Sequence, residues 1–377
     1  MADRRPIIAL VTDAIGPYHR GGKEQRYLEL AQRLARRADV HVYTMNWWQG
    51  SRTRRDRGVT YHAICPLIPL YSGSRRSIRQ ALVFALCCLR LLTARFDVIE
   101  ADHMPYIQLF ALKLVALTRR RRLVVTWHEC WGPSYWRDYL GRAGVIGWLL
   151  ESVAMRLPDR IIAASPGTAE RLHSFTRGRV PVVVAPNGID LHAIAEVLPS
   201  EPTVDLVTVG RLLPHKRLDL LLEAVAALER RGRRLTARVV GSGPELHRLR
   251  ALAADRGILG QVEFRQDIAG ATHLFAALKA ARAAVFPSER EGFGIAVLEA
   301  LACGVPVVVT SAPDNLARHL VQRAGDRGIV CEPSALALAD AIETTLGRPS
   351  TDDRPLDGWL AEYDWDAISE TVAGALR

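Results

Sequence analysis

Residues 286–300 read FPSEREGFGIAVLEA, and this stretch decides the fold of the region around it. The apolar run at 283–286 predicts a short strand. Gly292 and Gly294 then predict a tight turn, after which a helix is expected to begin near Ile295. A strand that passes through a glycine turn into a helix is typical of one repeat of a parallel α/β sheet.

The same stretch predicts a binding site. Free N–H groups at the start of the helix, together with the positive end of its dipole, form a site for phosphate. Glu299 falls about one turn into the helix and Glu291 lies on the loop before it, so both carboxylates can accept hydrogen bonds from sugar hydroxyls. The alternative, that both glutamates are merely solvated, leaves the GFG turn unexplained. The residues predicted to act here are Glu291, Gly292, Phe293, Gly294, Ile295 and Glu299.

Strand-like and helical runs alternate along all 377 residues, which predicts parallel sheets with helices on both faces. This length suits two domains, with a boundary near 186–202, where a PNG turn precedes a linker. The strands predicted in the first half are 7–12, 40–45, 59–65, 97–101, 123–127, 160–164 and 180–184. Those predicted in the second half are 204–209, 236–240, 261–265, 283–286, 305–310 and 328–331. The helices predicted in the first half are 23–37, 75–94, 105–117, 143–157 and 166–175.

Arg211 and Lys216 follow the strand predicted at 204–209, on the loop where doubly wound sheets place their ligands. Two cations on one loop can clamp both phosphates of a diphosphate and stabilise it as a leaving group. A solvated basic loop is the alternative. The strand-end position and the preceding Gly210 favour the binding interpretation.

Other candidates lie at strand ends in the first half. Gly21 and Gly22 open the first helix, where backbone amides can approach a diphosphate, although simple turns are the alternative. His128 and His103 each end a predicted strand. They are expected to be either hydrogen-bond partners of a substrate or structural histidines. Asp13 ends the first strand, where it can meet an acceptor hydroxyl or cap a turn.

Five motifs resemble those of the retaining nucleotide-sugar glycosyltransferases of family 4. They are GGKE at 21–24, PNGID at 186–190, VGRLLPHK at 209–216, VGSGP at 240–244 and EREGFGIAVLEA at 289–300. The resemblance extends along nearly the whole chain, with the motifs in the family's order. None of them identifies the sugar.

The resemblance implies the α/β GT-B architecture, in which two Rossmann-like, doubly wound parallel-sheet domains face a central cleft. Residues 1–190, joined by a returning C-terminal helix at 359–377, would form the acceptor-binding domain. Residues 191–358 would bind the nucleotide-sugar donor. His128 matches the family histidine beside the donor sugar, and Arg211, Lys216 and Glu291 complete the implied catalytic set.

The implied activity is transfer of a sugar from a UDP- or GDP-linked donor to an acceptor hydroxyl, with retention of anomeric configuration. The nucleotide sugar is then a co-substrate, and no cofactor is expected. A nucleotide-sugar epimerase or a phosphorylase on a similar scaffold is the second enzymatic interpretation. The Glu291 and Glu299 pair argues against it.

No metal is expected. Asp364 and Asp366 have the DxD spacing that other glycosyltransferases use for a divalent ion, but they stand at the start of a predicted helix, where aspartate is an ordinary capping choice. Arg211 and Lys216 would supply the cationic charge instead.

The formal net charge of +10 is unevenly distributed. Residues 1–190 hold 29 Lys and Arg against 15 Asp and Glu, whereas residues 191–377 hold 21 against 25. A basic first half indicates an anionic acceptor or contact with an anionic membrane surface. A nucleic-acid-binding protein is the non-enzymatic alternative, but no nucleic-acid-binding signature accompanies the basic clusters, so no nucleic acid partner is expected.

The acceptor is either a soluble small molecule, glycoconjugate or natural product, or a lipid-linked compound used in glycolipid or polysaccharide assembly. No signal peptide precedes the strand at 7–12, and the longest apolar runs are too short to span a bilayer. The six cysteines show no CxxC spacing, so reduced thiols are expected. These features predict a cytoplasmic protein. Peripheral contact with the inner face of the membrane is the alternative.

Overall fold

The computed structural model describes residues 5–19, 21–72, 75–266, 270–348 and 358–377. The chain divides into two compact units, Met1–Gly188 with Trp365–Arg377, and Ile189–Asp364. The sequence placed the boundaries at 190/191 and 358/359. The later boundary differs because the 3₁₀ helix Gly358–Tyr363 buries Leu360 and Tyr363 in the core of the second unit.

The strands of the first unit alternate with its helices. The strands are β1 (Ile7–Val11), β2 (Asp39–Met45), β3 (Thr53–Asp56), β4 (Val59–Cys65), β5 (Tyr71–Ser72), β6 (Arg75–Arg76), β7 (Val98–Asp102), β8 (Arg122–Trp127), β9 (Arg160–Ala163) and β10 (Val182–Val184). The helices are α1 (Gly22–Leu34), α2 (Ile78–Cys88), α3 (Ile107–Arg119), α4 (Gly132–Leu140), α5 (Gly144–Ala154), α6 (Pro166–Thr176) and, at the end of the chain, α14 (Trp365–Leu376). Short 3₁₀ helices at Leu89–Thr93 and Gly141–Ala143 extend α2 and precede α5.

Within the described residues, one sheet of eight strands organises the first unit, in the order β10-β9-β8-β7-β1-β2-β4-β3. Its pairings are parallel except for the β3–β4 hairpin at one edge. Helices α2, α3 and α5 pack on one face, and α1 and α14 pack on the other. Apolar strands buried on both faces are typical of a parallel α/β sheet.

The C-terminal helix α14 packs against α1. Trp365, Ile368 and Val372 join the core formed by Tyr27 and Leu30 of α1. The end of the chain therefore completes the first unit, as the returning helix of the prediction would.

The second unit repeats the pattern. Its strands are β11 (Val204–Val209), β12 (Ala237–Val240), β13 (Val262–Arg265), β14 (Ala281–Phe286), β15 (Arg290–Glu291), β16 (Val307–Thr310), β17 (Asp314–Asn315) and β18 (Gly328–Cys331). Its helices are α7 (Leu191–Glu196), α8 (Leu218–Arg230), α9 (Leu246–Asp255), α10 (Ala271–Lys279), α11 (Ile295–Ala302), α12 (Arg318–Arg323) and α13 (Ala335–Leu346). Further 3₁₀ helices span Pro214–Lys216, Leu259–Gln261 and Gly325–Arg327.

Six strands in the described part of this unit form a parallel sheet in the order β13-β12-β11-β14-β16-β18. β15 and β17 pair separately, beyond the carboxyl ends of β14 and β16. One core lies on each face of the sheet, the first around α10 and α11 and the second around α8 and α13.

The predicted α/β class is confirmed, and every predicted strand is present to within two residues at either end. Two predictions about local structure were wrong. The predicted helix 75–94 begins only at Ile78, because the residues before it pair as β6. The helix α4 was missed, because it is only nine residues long and its first residues, Gly132 and Pro133, form a dipeptide typical of a turn.

No helix in the described residues is long and apolar enough to cross a membrane. The six cysteines are free thiols, as expected.

Candidate functional site

A pocket lies at the carboxyl ends of β11 and β14 in the second unit. Its lining includes Gly210, Arg211 and Lys216 from the loop after β11, and Ser288 and Glu291 from the segment after β14. β11 and β14 are neighbours in the sheet, so the two loops emerge side by side. Three of the residues predicted as catalytic therefore share one pocket.

Lys216 forms an ion pair with Glu291, 75 positions later in the chain. The Ser288 hydroxyl also donates a hydrogen bond to Glu291 Oε1, at 3.3 Å. The backbone N–H of Glu289 donates to the carbonyl of His215 at 2.8 Å, which ties the two loops together. About a quarter of the Lys216 side chain and a fifth of the Glu291 side chain stay exposed, so both charges are accessible to a ligand.

Two glycines let the backbone approach the Lys216 loop closely. A Cβ atom on Gly241 would lie 1.9 Å from the carbonyl oxygen of Gly210, and one on Gly243 would lie 2.3 Å from that of Leu212. The φ angles of Gly241 and Gly243, 145° and 159°, also favour glycine. The glycines of the VGSGP motif therefore allow this segment to pack directly against the loop that carries Arg211 and Lys216.

The N-terminus of α11 opens beside this pocket-forming segment. Gly294 is its N-cap, with a φ of 90° in the left-handed region, and a Cβ there would lie 2.4 Å from the Cβ of Ala317. Ile295 is the first helical residue, so the N–H groups of the first turn lack intrahelical partners, as a phosphate site requires. Gly292 precedes this turn and is partly exposed.

The structure corrects the interpretation of Phe293. Its side chain is buried in the core of the second unit, with its ring 5.8 Å from that of Tyr363. Only the backbone of Phe293 is therefore available to a ligand. The aromatic residue of the GFG turn holds the turn onto the core.

Glu299 lies one turn into α11 and does not line the pocket that holds Glu291. Its carboxyl makes no hydrogen bond with any residue in the described part of the chain. Burial raises the pKa of Glu299 to about 8. A partly exposed carboxyl group without an internal partner is suited to accept hydrogen bonds from a ligand.

The carboxyl edge of the sheet in the first unit carries a charged network. Lys23, in the first turn of α1, reaches Asp13 at 2.6 Å and Asp102 at 2.7 Å. Arg76 and Gln80 contact the other oxygen of Asp13, at 2.8 Å and 3.2 Å. No sequence pattern marks Lys23, Arg76, Gln80 or Asp102 as members of one network. Only the pairing of β1 with β7 shows that the two aspartates meet.

Asp13 differs from its prediction. It is fully buried, and both of its carboxylate oxygens are engaged by Lys23, Arg76 and Gln80. Direct contact between Asp13 and an acceptor hydroxyl is therefore not supported by this geometry. Asp13 instead orders the charged groups around it.

His128 and His103 lie side by side at the ends of β8 and β7, with ring centroids 5.6 Å apart. His103 Nδ1 is 3.1 Å from Asp102, whereas His128 Nε2 is 3.8 Å from it, beyond hydrogen-bond distance. In each ring Nε2 has no hydrogen-bond partner among the described residues. Burial lowers the pKa of His128 to about 3, so its imidazole is neutral near pH 7.

Gly21 and Gly22 open α1 as predicted, but an acidic side chain occupies this helix start. A Cβ on Gly21 would lie 2.4 Å from the Glu24 carboxylate, which also bonds His19 at 3.0 Å. Burial acts to raise the pKa of Glu24, but His19 and Lys23 outweigh it and lower that pKa to about 2. Diphosphate contact at Gly21 and Gly22 stays a prediction.

Among the described residues, no group of three or more His, Cys, Asp or Glu is arranged to hold a metal ion. Asp366, half of the DxD pair, accepts hydrogen bonds from Arg33 and Arg36 at the start of α14. Asp366 lies in the first turn of α14, the position expected from the sequence.

Two family models match consecutive parts of the chain. Residues 20–193 match Glycosyltransferase Family 4, and residues 193–355 match Glycosyl transferases group 1. Two Rossmann-like units of this kind define a glycosyltransferase of the GT-B fold. The chain belongs to glycosyltransferase family 4.

Curated relatives share part of the chain. One, the D-inositol 3-phosphate glycosyltransferase of Frankia alni, is 35% identical over 229 residues, which is 58% of this chain and 53% of that protein. Another, the GDP-mannose-dependent alpha-(1-6)-phosphatidylinositol monomannoside mannosyltransferase of Mycobacterium tuberculosis, is 30% identical over 62% of this chain and 67% of its own length. The chain spans about half the length of the first of these relatives.

Solved structures share the fold over the whole chain. Sucrose-phosphate synthase from Thermosynechococcus elongatus superposes with a TM-score of 0.79 at 19% identity, covering 98% of each chain. Anabaena HepE in complex with UDP-glucose superposes with a TM-score of 0.74 at 19% identity, covering 99% of each chain. At this identity the likeness establishes the GT-B fold alone.

Proposed function

We propose that this protein transfers a sugar from a nucleoside-diphosphate sugar to a hydroxyl group of an acceptor, with retention of the anomeric configuration. The observation that carries the proposal is the Lys216–Glu291 ion pair in a pocket at the carboxyl ends of β11 and β14. A cation and a carboxylate placed together can bind the two halves of a sugar diphosphate, one the phosphate and the other the sugar.

In this proposal, Lys216 and Arg211 bind the diphosphate, and the N–H groups at Gly294 and Ile295 add to its stabilisation. When the donor enters, Lys216 exchanges Glu291 for phosphate oxygens. Glu291 is then released to accept a hydrogen bond from a hydroxyl of the donor sugar. The free ion pair therefore keeps both side chains oriented until the ligand replaces it.

The transfer breaks the bond between the anomeric carbon and the β-phosphate oxygen, and forms one from the acceptor oxygen on the same face of the sugar. The acceptor proton passes to the leaving phosphate. Lys216 and Arg211 stabilise the negative charge that develops on that phosphate, which is the largest contribution such a site can make. No enzyme nucleophile takes part.

We assign the imidazoles of the first unit to hydrogen bonding rather than to proton transfer. With a pKa of about 3, His128 stays neutral and cannot act as a general acid near pH 7. Its unpartnered Nε2 is suited to a hydroxyl of the donor sugar, and that of His103 to the acceptor.

The basic first half favours an acceptor that carries negative charge. Two relatives support this, since one is named for D-inositol 3-phosphate and the other for phosphatidylinositol monomannoside. The first name refers to a small phosphorylated molecule and the second to a lipid. Both a soluble and a lipid-linked acceptor are therefore kept as candidates.

The proposal is tested by incubating the purified protein with a panel of UDP- and GDP-linked sugars and measuring the free nucleoside diphosphate released. Slow hydrolysis of one donor, together with its thermal stabilisation of the protein, is the expected result. NMR of the product formed with an accepted alcohol should show the donor's anomeric configuration. Release from no donor, or inversion of configuration, would contradict the proposal.

Activity is expected to persist in EDTA. Lys216 and Arg211 place positive charge in the pocket, so the leaving diphosphate is stabilised without a divalent ion. The measurement is the rate of nucleoside diphosphate release before and after chelation, with Mg²⁺ or Mn²⁺ added back as a control. A rate that falls to background and returns with the metal would overturn this expectation.

Donor binding is expected to tighten as the pH rises from 7 to 9. Ionised Glu299 accepts hydrogen bonds from both hydroxyls of a ribose diol more strongly than the protonated carboxyl does, and its pKa of about 8 leaves it mostly protonated at pH 7. The ionised fraction then rises about tenfold over this range, and the apparent Kd falls by up to the same factor. Isothermal titration with UDP and GDP measures the change.

The matched variant is Glu299→Gln, which should bind weakly at all pH values, with a flat profile. In turnover it should raise the donor KM more than it lowers kcat, because the diol takes no part in bond breaking. A pH dependence that survives in Glu299→Gln would exclude Glu299 as its source.

A further inference from the structure

Three helices of the first unit expose large apolar side chains. Each helix presents them as one stripe, at spacings of about one turn, on the side opposite its buried residues. The exposed residues are Ile78, Leu82 and Leu86 of α2, Phe110, Leu114 and Leu117 of α3, and Val145, Ile146, Leu149 and Val153 of α5. We name these ten residues the apolar face.

The stripes belong to one side of the molecule. α3 packs against α2 on one flank and against α5 on the other. The buried residues of all three helices join the same core, on the same face of the eight-stranded sheet. Their outward stripes therefore lie next to one another. Leu86, Leu117 and Ile146 are each exposed by more than 60%, and it is their grouping on neighbouring helices that distinguishes them from scattered exposed leucines.

The charged side chains on and around α2 and α3 are mostly positive. The sequence contains no acidic residue from 57 to 96, nor from 103 to 128. Asp97 and Asp159 are paired with Arg121 and Lys113, and Glu151 of α5 is buried. Asp138 of α4, which packs against α5, is exposed. The exposed arginines on or beside the three helices are Arg79, Arg90, Arg95, Arg119, Arg120, Arg121, Arg142 and Arg156.

We propose that the apolar face binds the surface of an anionic lipid bilayer. Apolar side chains among arginines match the layered chemistry of that surface, where acyl chains lie beneath negatively charged headgroups. Arginine side chains can keep their guanidinium groups among the headgroups while their stems follow the apolar chains. The helices then lie in the interface and do not cross the bilayer.

This surface lies in one unit and uses no residue of the proposed catalytic set. The inference therefore does not depend on the transfer reaction. It does favour a lipid-linked acceptor over a soluble one, because docking would hold the enzyme where such an acceptor resides.

The test is flotation of the full chain with vesicles of phosphatidylcholine alone or with about a third phosphatidylglycerol. Binding to the anionic vesicles, weakened as the salt concentration rises, is the expected result. The variant Leu82→Gln/Leu114→Gln/Ile146→Gln removes one apolar residue from each helix, and should lower the partition coefficient at least about tenfold. Arg79→Gln/Arg142→Gln should lower it about fivefold for each arginine removed.

Matched controls come from the second unit. Leu198→Gln/Leu259→Gln/Leu336→Gln removes three apolar side chains of similar exposure, and Arg230→Gln/Arg234→Gln removes two exposed arginines. Both should bind as the unchanged protein does. Circular dichroism should show all variants folded, because every replaced residue is exposed.

Three results would overturn the proposal. The first is absence of binding to anionic vesicles, and the second is binding that the apolar-face variants do not change. The third is a dimer, seen by light scattering, that the triple apolar variant abolishes while vesicles do not bind. That outcome would mean that a second copy of the chain covers this face.

Discussion

Replacement of Lys216 by alanine is expected to lower kcat/KM by about a hundred- to a thousandfold. Its ammonium group faces the position proposed for the leaving phosphate, where charge develops as the glycosidic bond breaks. Loss of one such charged contact costs about 3–4 kcal/mol in the transition state. Steady-state release of nucleoside diphosphate from the preferred donor measures the effect.

The fold should survive this change, because the Lys216 and Glu291 side chains are both partly exposed. Glu291→Ala should lose activity to a similar extent, and the double variant should lose far less than the product of the two single effects, since the pair acts as one unit. Arg231→Ala is the control. Arg231 also pairs with a carboxylate, Asp340, but at the far end of α8. Near-normal activity of Lys216→Ala would remove this loop from the site.

Replacement of Lys23 by methionine is expected to destabilise the first unit by about 3–5 kcal/mol. Lys23 is the cation between Asp13 and Asp102, both fully buried, and its loss leaves the buried charge of Asp102 without its paired cation, while Arg76 still pairs with Asp13. Burial acts to raise the pKa of Asp102, but Lys23 and His103 outweigh it and hold that pKa well below its usual range. Asp102 is therefore charged when the protein folds at neutral pH.

Urea unfolding followed by tryptophan fluorescence measures this loss, because every tryptophan except Trp359 belongs to the first unit. Lys113→Met is the matched control, since its ion pair with Asp159 is partly exposed and should contribute about 0–1 kcal/mol. Lys23→Met/Asp102→Asn should recover part of the stability by removing the carboxylate that has lost its paired cation. Equal stabilities of Lys23→Met and Lys113→Met would mean that the network contributes no more than a surface pair.

The sequence by itself determined the features that depend on near neighbours in the chain. Apolar runs bounded by turn residues predicted the strands, because the spacing of apolar residues and the positions of turn residues are local properties of the sequence. The GFG turn predicted the start of α11, because Gly294 adopts a positive φ that few other residues tolerate. Motif order was enough to identify the family, and the two loops that line the pocket were predicted at the carboxyl ends of their strands.

Only the tertiary structure decided which of those strand ends lie next to each other and which side chains remain accessible to a ligand. Lys216 contacts Glu291 because β11 lies beside β14 in the sheet, an order that no local pattern encodes. Asp13 was predicted to meet an acceptor hydroxyl or to cap a turn, but residues from α1 and from the region of α2 surround it, so it is buried and fully paired. Strand order and burial arise from contacts between residues far apart in sequence, and they alone separate a ligand-facing charge from one that holds the fold together.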